Sequence, residues 1–371
     1  MRLPPDVDPL VLRLGLLLVP GVGDVLVRSL VRSCGSPEAV FLEKKRQLAQ
    51  IPGVGERIAA AIHGFRDWER AEEEARFVRD NHIRALFFTD EAFPRRLLHC
   101  PDAPAMLFVR GKADLNAGRM LGIVGTRQST AYGQLMTEAL VDSLKDYACT
   151  VVSGLAFGID IRAHRAALQA GLCTVAAVAH GLDRVYPAQH RATARSMVEE
   201  GGAIVSDQFQ GTRLSPELFP RRNRIIAGLC DALVVVESRG SGGAIITADI
   251  ANSYSREVFA FPGRVGDVSS EGCLALIRTH RAALLSSGSE LAEAMGWLPR
   301  DARQPAQLAL FPDFNPEERR IWDALGTETV HADALLQASG LSSGRLSLLL
   351  LDMEMKGWVK ALPGKRYARS R

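Results

Sequence analysis

Two spacings of apolar positions divide this chain. From residue 1 to about 82 they recur at helical intervals, with Gly-rich turns between, so this stretch predicts an all-helical domain. From about 83 to 297 short, wholly apolar, β-branched runs alternate with helical segments: LGIVG (121–125), TVVSG (150–154), TVAAVA (174–179), AIVS (203–206), ALVVVE (232–237) and VFAF (258–261). Apolar strands separated by helices imply a parallel sheet covered on both faces, and hence an α/β, Rossmann-like core. Residues 298–313 carry several prolines and little periodicity, and read as a linker. The stretch 314–371 predicts a winged helix. Asn315 caps a first helix that Pro316 opens, a second covers 331–338, and a third begins near Ser342 with LSLLLLDMEM. WVKALPGKRYAR (358–369) then forms a hairpin turning at Pro363-Gly364.

If strands alternate with helices, the loops that follow the strands share one carboxyl edge of the sheet, where such folds bind ligands. The residues in those loops are suited to anions. FPRRNRIIAGL (219–229) crowds Arg221, Arg222 and Arg224 around Asn223. Guanidinium groups so close repel one another unless an anion lies among them, and each offers a planar donor fork to phosphate oxygens. Helical spacing lets Arg221 and Arg224 share a face at the binding rim. Arg222 is expected to point elsewhere, to an ion pair or a backbone contact, and Asn223 to form a turn or cap. VGTRQST (124–130) adds Gly125 at a strand end and Arg127 in the turn. SGLAFGID (153–160) supplies Gly154 and Gly158, which allow close approach to the backbone, and Phe157, which either stacks on a base or packs under its loop. Asp160 is read as the cap of the next helix. AHGLDRVYPAQH (179–190) brings His180, Arg184 and His190 to the same edge. SGGAIITADIA (241–251) opens a helix at Ser241 and Gly242, with Thr247 one turn inside, at an N-terminus suited to phosphate. In the N-terminal domain, VPGVG (19–23) and IPGVG (51–55) resemble tandem helix-hairpin-helix turns, with Arg28, Arg32 and Arg57 compatible with DNA contact.

Composition narrows the chemistry. The 371 residues carry a net charge of only +3, so clusters of basic residues, not the total, must mark any nucleic-acid site. The six cysteines stand singly, without a C-x-x-C pair, which indicates neither a zinc site nor a disulfide framework and suits a reducing cytoplasm. Arg13 interrupts the apolar opening, and Asp6 and Asp8 precede it, unlike a signal peptide. No stretch reads as a membrane span. There is no G-x-x-x-x-G-K-[ST] loop for an NTPase and no acidic cluster for a two-metal nuclease. No metal and no cofactor are expected. In the third helix of the winged helix, Arg345 is the main residue long enough to reach a base, so protein interaction or self-association is an alternative to DNA reading there. Lys365 and Arg366 are placed to touch phosphates from the wing.

The motifs VGTR, SGLAFGID, HGLDRVYP, FPRRNRIIAGL, SGGAIITADIA and VFAFPG, in this order, resemble the DNA-processing protein A family (DprA, also called Smf) over roughly residues 86–290. The resemblance implies a cytoplasmic protein that binds single-stranded DNA during natural transformation, protects incoming strands and loads the RecA recombinase on them. It also implies a homodimer through the Rossmann-like domain; duplex DNA is a second candidate ligand. Arg127, the Arg222-Asn223-Arg224 triplet, Gly154, Gly158, Ser241, Gly242 and Thr247 match the family's motif positions. Within GCLALIRTHR (272–281), Leu274 stands where the family has Asn, and His280-Arg281 where it has Gly-Ala. A competing reading is a nucleotide or phosphoribosyl hydrolase on a lysine-decarboxylase-like Rossmann fold. That activity needs acidic groups beside the phosphate loop, and only Glu237 ends a nearby strand.

Overall fold

The computed structural model describes residues 7–299, 314–326, 329–362 and 364–369. Most of the expected linker, and Pro363 of the expected hairpin turn, lie outside the described residues. The chain divides into two compact units after residue 300.

The first unit begins with α1 (Pro9–Leu18), α2 (Asp24–Cys34), α3 (Pro37–Leu42), α4 (Lys45–Leu48), α5 (Glu56–Gly64) and α6 (Trp68–Asp80). Asp8 caps α1, with Pro9 at its first position, and each P-G-V-G turn leads into a helix, α2 or α5. Leu14, Leu16, Leu30, Phe41 and Ile62 form a buried helical core. Arg28 is also buried and donates to the Cys100 and Leu98 carbonyl oxygens at 3.0 and 3.1 Å. This corrects the expectation that it is available to DNA.

Nine strands follow: β1 (Arg84–Phe87), β2 (Met106–Gly111), β3 (Met120–Val124), β4 (Thr150–Ser153), β5 (Thr174–Ala177), β6 (Ala203–Ser206), β7 (Ala232–Val235), β8 (Glu257–Ala260) and β9 (Ala283–Leu284). They form one sheet in the order β1-β2-β6-β5-β4-β3-β7-β8-β9. All six strands read from the apolar runs are present and mutually parallel, and every residue of β3 to β7 is buried, as a doubly covered sheet requires. β1 and β2 extend the sheet antiparallel at one edge. The covering helices are α7 (Arg95–Leu98), α8 (Ala131–Ser143), α9 (Ile159–Gln169), α10 (Arg191–Glu199), α11 (Leu218–Leu229), α12 (Gly243–Ser253), α13 (Glu271–Arg278) and α14 (Gly288–Ala294). After α13 the chain turns at His280 with φ of +55°, in the left-handed region that favours glycine. The resembling family's glycine at this position thus has a backbone reason, and this chain makes the same turn with a side chain.

The second unit holds α15 (Pro316–Leu325), β10 (Val330–His331), α16 (Ala332–Ser339), α17 (Ser343–Met355), β11 (Val359–Leu362) and β12 (Arg366–Arg369). Asn315 and Glu318 form a reciprocal capping box on α15, and Ser342 caps α17. Ile321, Leu335, Leu349, Leu350 and Met353 make its core. This is the winged helix read from the sequence. Among the described residues, no single helix is long and apolar enough to cross a membrane.

Candidate nucleic-acid interface

The strand order reverses at β3. The chain runs outward through β4, β5 and β6 on one side and returns to β3's other edge with β7. At such a point successive loops part and leave a crevice beyond the carboxyl ends of the strands. A cleft of about 680 Å³ lies there, lined from the loops after β3, β4 and β7 and from α11 and α12.

Two close approaches of backbone pack the loops around it. Gly158, at φ +77°, passes beneath the β3 loop, where a Cβ would overlap Thr126 O and the Arg127 backbone. Gly154 lies against the Arg222 guanidinium and the Asp160 carboxylate, and a Cβ there would displace both. Gly125 lines the cleft itself. Asp160 does not cap α9, because Gly158 holds that position. Its buried carboxyl is pushed up by desolvation, against which Arg222 and the Ala156 and Gly154 amides act.

The arginines of α11 divide between two opposite helix faces. Phe219, Arg222, Asn223 and Ile226 follow an i, i+3, i+4, i+7 spacing, and all four line the cleft. Arg222 donates to Ala177 O at 2.5 Å. Its guanidinium is pushed down by burial, an effect that Asp160 opposes and Arg127 reinforces. The Asn223 amide reaches Gly243 O at 3.5 Å, bridging α11 to the first turn of α12 rather than forming a cap. Arg221 and Arg224 do share a face, but it is the reverse one. Arg224 is buried between Asp207 at 2.6 Å and Asp24 at 3.0 Å, and also donates to Asp102 O. Arg221 reaches the same two carboxylates from a more exposed position. The assignment of Arg221 and Arg224 to the rim is therefore corrected: two carboxylates draw them away from it, and Arg222, with its backbone contact, faces the cleft.

Arg127 is exposed and, among the described residues, has no ion-pair or hydrogen-bond partner; its guanidinium lies 5.0 Å from the Phe219 ring centroid. Arg239, not singled out from the sequence, also lines the cleft and donates to Gln128 Oε1, in the loop that carries Arg127, at 3.4 Å. Ser241, Gly242 and Thr247 are at the start of α12, whose N-terminus has no side-chain cap. Thr247 is buried and donates to Gly243 O. Free amide groups and the positive end of the helix dipole therefore face the cleft.

A smaller depression adjoins the cleft, bordered by Arg127, Phe157, Tyr186 and Phe219. Phe157 is 44% exposed, with its edge against His190, and Tyr186 is 47% exposed. His180 is buried, and both its ring nitrogens are engaged, one at Gly181 O and one accepting from the Tyr186 amide. Burial lowers its pKa first of all, so it orders the loop in neutral form and offers no charge to a ligand. This corrects its place among the anion contacts. Tyr186 and Phe219 were legible only as aromatic residues in strand-end segments. The carboxylates are committed: Glu237 accepts from the Thr130 amide and hydroxyl, and Asp160 lies beneath Arg222.

Comparison with known proteins agrees along the chain. A family model described as DNA recombination-mediator protein A matches residues 84–296. A DprA winged helix domain matches 299–365, and a SAM-like helix-hairpin-helix tandem matches 14–63. Protein Smf of Synechocystis sp. is 31% identical over 95% of this chain and 96% of its own length. Protein Smf of Escherichia coli is 35% identical over 74% of each. The X-ray structure of DNA processing protein A from Streptococcus pneumoniae superposes with a TM-score of 0.65 at 28% identity, covering 77% of this chain and 98% of that one. That of Helicobacter pylori shares the fold at 24% identity and TM-score 0.53, over 58% of this chain and 97% of that one.

Proposed function

This chain belongs to the DNA recombination-mediator protein A family, and on that premise we propose that it is a non-enzymatic, single-stranded-DNA-binding recombination mediator. It protects incoming strands and loads RecA on them during natural transformation, in the cytoplasm, as a homodimer assembled through the sheet-bearing unit. One observation carries the DNA-binding part of this reading: the cleft at the strand-order switch joins an exposed arginine, Arg127, that has no ion-pair partner among the described residues to a helix N-terminus without a side-chain cap, beside a half-exposed aromatic border. Phosphate oxygens suit Arg127 and the α12 amides, and unstacked bases suit Phe157 and Tyr186. The H. pylori relative is described as having a unique single-stranded DNA binding mode. A hydrolase would need free carboxylates at the cleft, and those of Asp160 and Glu237 are held by other groups.

Arg127→Ala tests the reading directly. Fluorescence titration with an oligonucleotide across salt should show about tenfold weaker binding and a log–log salt slope shallower by about 0.7, the share of one phosphate contact. Thermal stability should change little, since Arg127 is exposed and, among the described residues, makes no ion pair or hydrogen bond and only stacks over Phe219. Wild-type affinity and slope in this variant would remove the cleft as the strand site. Phe157→Ala and Tyr186→Ala separate stacking from charge. Each should weaken binding by about 1–3 kcal/mol while the salt slope stays at its wild-type value.

A further inference from the structure

The depression beside the cleft is one-sided in its hydrogen bonding. Its polar side chains are Arg127, His180, Tyr186 and Arg222; Phe157, Phe219 and small or apolar residues make up the rest. Both ring nitrogens of His180 are spent within its own loop. Arg222 is 5% exposed, and among the described residues its one hydrogen bond runs from Nη1 to Ala177 O. Its Nε is enclosed and meets no acceptor among them. A guanidinium carries five N–H donors and no acceptor, so most of this buried group's capacity is unused. Donors left unpaired away from water cost free energy that a bound acceptor recovers. Arg127, held over Phe219, adds a second guanidinium to the same border, with no hydrogen bond or ion pair among the described residues. The Asp160 carboxyl is engaged by the Ala156 and Gly154 amides and does not border the depression. The depression therefore offers aromatic faces and cationic donors, with the Tyr186 hydroxyl as its one unspent side-chain acceptor among the described residues.

We propose that this depression takes one base of the bound strand and selects bases with a carbonyl oxygen on the edge that meets the arginines; the proposal rests on the strand-binding reading of the cleft. Thymine and uracil present O4 there, and guanine presents O6 beside N7, a pair that fits the guanidinium fork. Cytosine and adenine carry an amino group at the corresponding position. That group sets donor against donor, beside a cation, and leaves both unpaired. Stacking on Phe157 and Tyr186 is open to every base, so the aromatic border supplies affinity and the arginines supply the choice. Phosphate contacts are the same for all four bases. Arg222 is thereby a specificity-determining residue, and its burial makes the choice sharper than an exposed, hydrated arginine would.

Fluorescence titration of the full chain with homopolymers of deoxyuridine and of deoxycytidine, equal in length and above neutral pH, tests the proposal. The two bases differ in carrying O4 or an N4 amino group. Oligo(dU) should bind about fivefold or more tighter than oligo(dC), with the same log–log salt slope, since an edge contact is exchanged and no phosphate contact is. Arg222→Lys, which keeps a cation but not the planar fork, should lose most of the preference. Should that variant melt early, Arg222→Met combined with Asp160→Asn serves the same purpose, read as the ratio of the two affinities at a temperature where the protein is folded. Equal affinities in the wild type would overturn the proposal and give both arginines to phosphate, leaving the cleft as the strand site. A preference that survives in the folded Arg222 variants would also overturn it. Binding of neither homopolymer would sink the strand-binding reading itself, and the proposal with it.

Discussion

Arg222→Met is expected to damage both stability and strand binding, and a second substitution should separate the two effects. The guanidinium is buried at the cleft floor near the Asp160 carboxylate, which is itself buried. Removing the guanidinium leaves the buried Asp160 carboxyl without the positive charge that opposes its desolvation, and stability should fall. Asp160 already has a raised pKa, from burial first, and loses the cation that opposes the rise. A carboxyl whose folded pKa exceeds its unfolded value keeps its proton in the native state after the unfolded chain has released its own. Stability therefore falls as pH rises from the unfolded value towards the folded one, and this dependence should be steeper in Arg222→Met than in the wild type. Urea denaturation between pH 4 and 8 reads it (about four units of pH, spanning the carboxylate range). Adding Asp160→Asn removes the buried charge, and should recover most of the stability and flatten the pH dependence. It should not recover oligonucleotide affinity, which is expected about tenfold or more below wild type because the cation beneath the cleft is still missing. Recovery of affinity in the double variant would reduce Arg222 to a purely structural residue.

Arg224→Ala should lower stability without weakening strand binding. It leaves Asp207, whose side chain is 2% exposed, and Asp24 with the more exposed Arg221 as their remaining cation. A loss of about 3–5 kcal/mol is expected, read by urea denaturation. The salt slope of oligonucleotide binding should remain that of the wild type, measured at a temperature where the variant is folded. A flattened slope would return Arg224 to the strand site. The same carboxylates tie α11 to both the N-terminal helices and the segment after β6, so the first unit should lose stability as a whole.

The contrast between these arginines shows where sequence reading stops. Helical spacing separates Arg221 and Arg224 from Arg222, but it does not say which face looks into the cleft. That choice is made by Asp24, which lies 200 residues from Arg224 in the chain, and by Asp207. The six parallel strands were readable because burial on both faces leaves no polar alternation to confuse them. β1 and β2 pair antiparallel at the sheet edge, and RALF and MLFVRG carry no signal of that pairing. The loop glycines marked places of close approach, as Gly154 and Gly158 show. His180 misled because a histidine at a strand end looks available until both its nitrogens are seen to be used. Spacing does not reveal that Tyr186, in its loop, and Phe219, in the first turn of α11, border the same depression as Phe157.

The reversal of strand order also has a consequence for biosynthesis. β3 pairs with β4 within 30 residues, Met120 with Thr150, but Leu121 meets Ala232 of β7 only 111 residues later. At ribosomal rates, β3's second edge waits on the order of ten seconds for its partner. Through that interval the nascent half-sheet carries an unpaired, wholly apolar strand at its margin, the kind of edge that recruits other chains. The cleft is complete only when that margin closes, so the site expected to receive a strand is assembled in the same step that removes the half-sheet's main aggregation hazard.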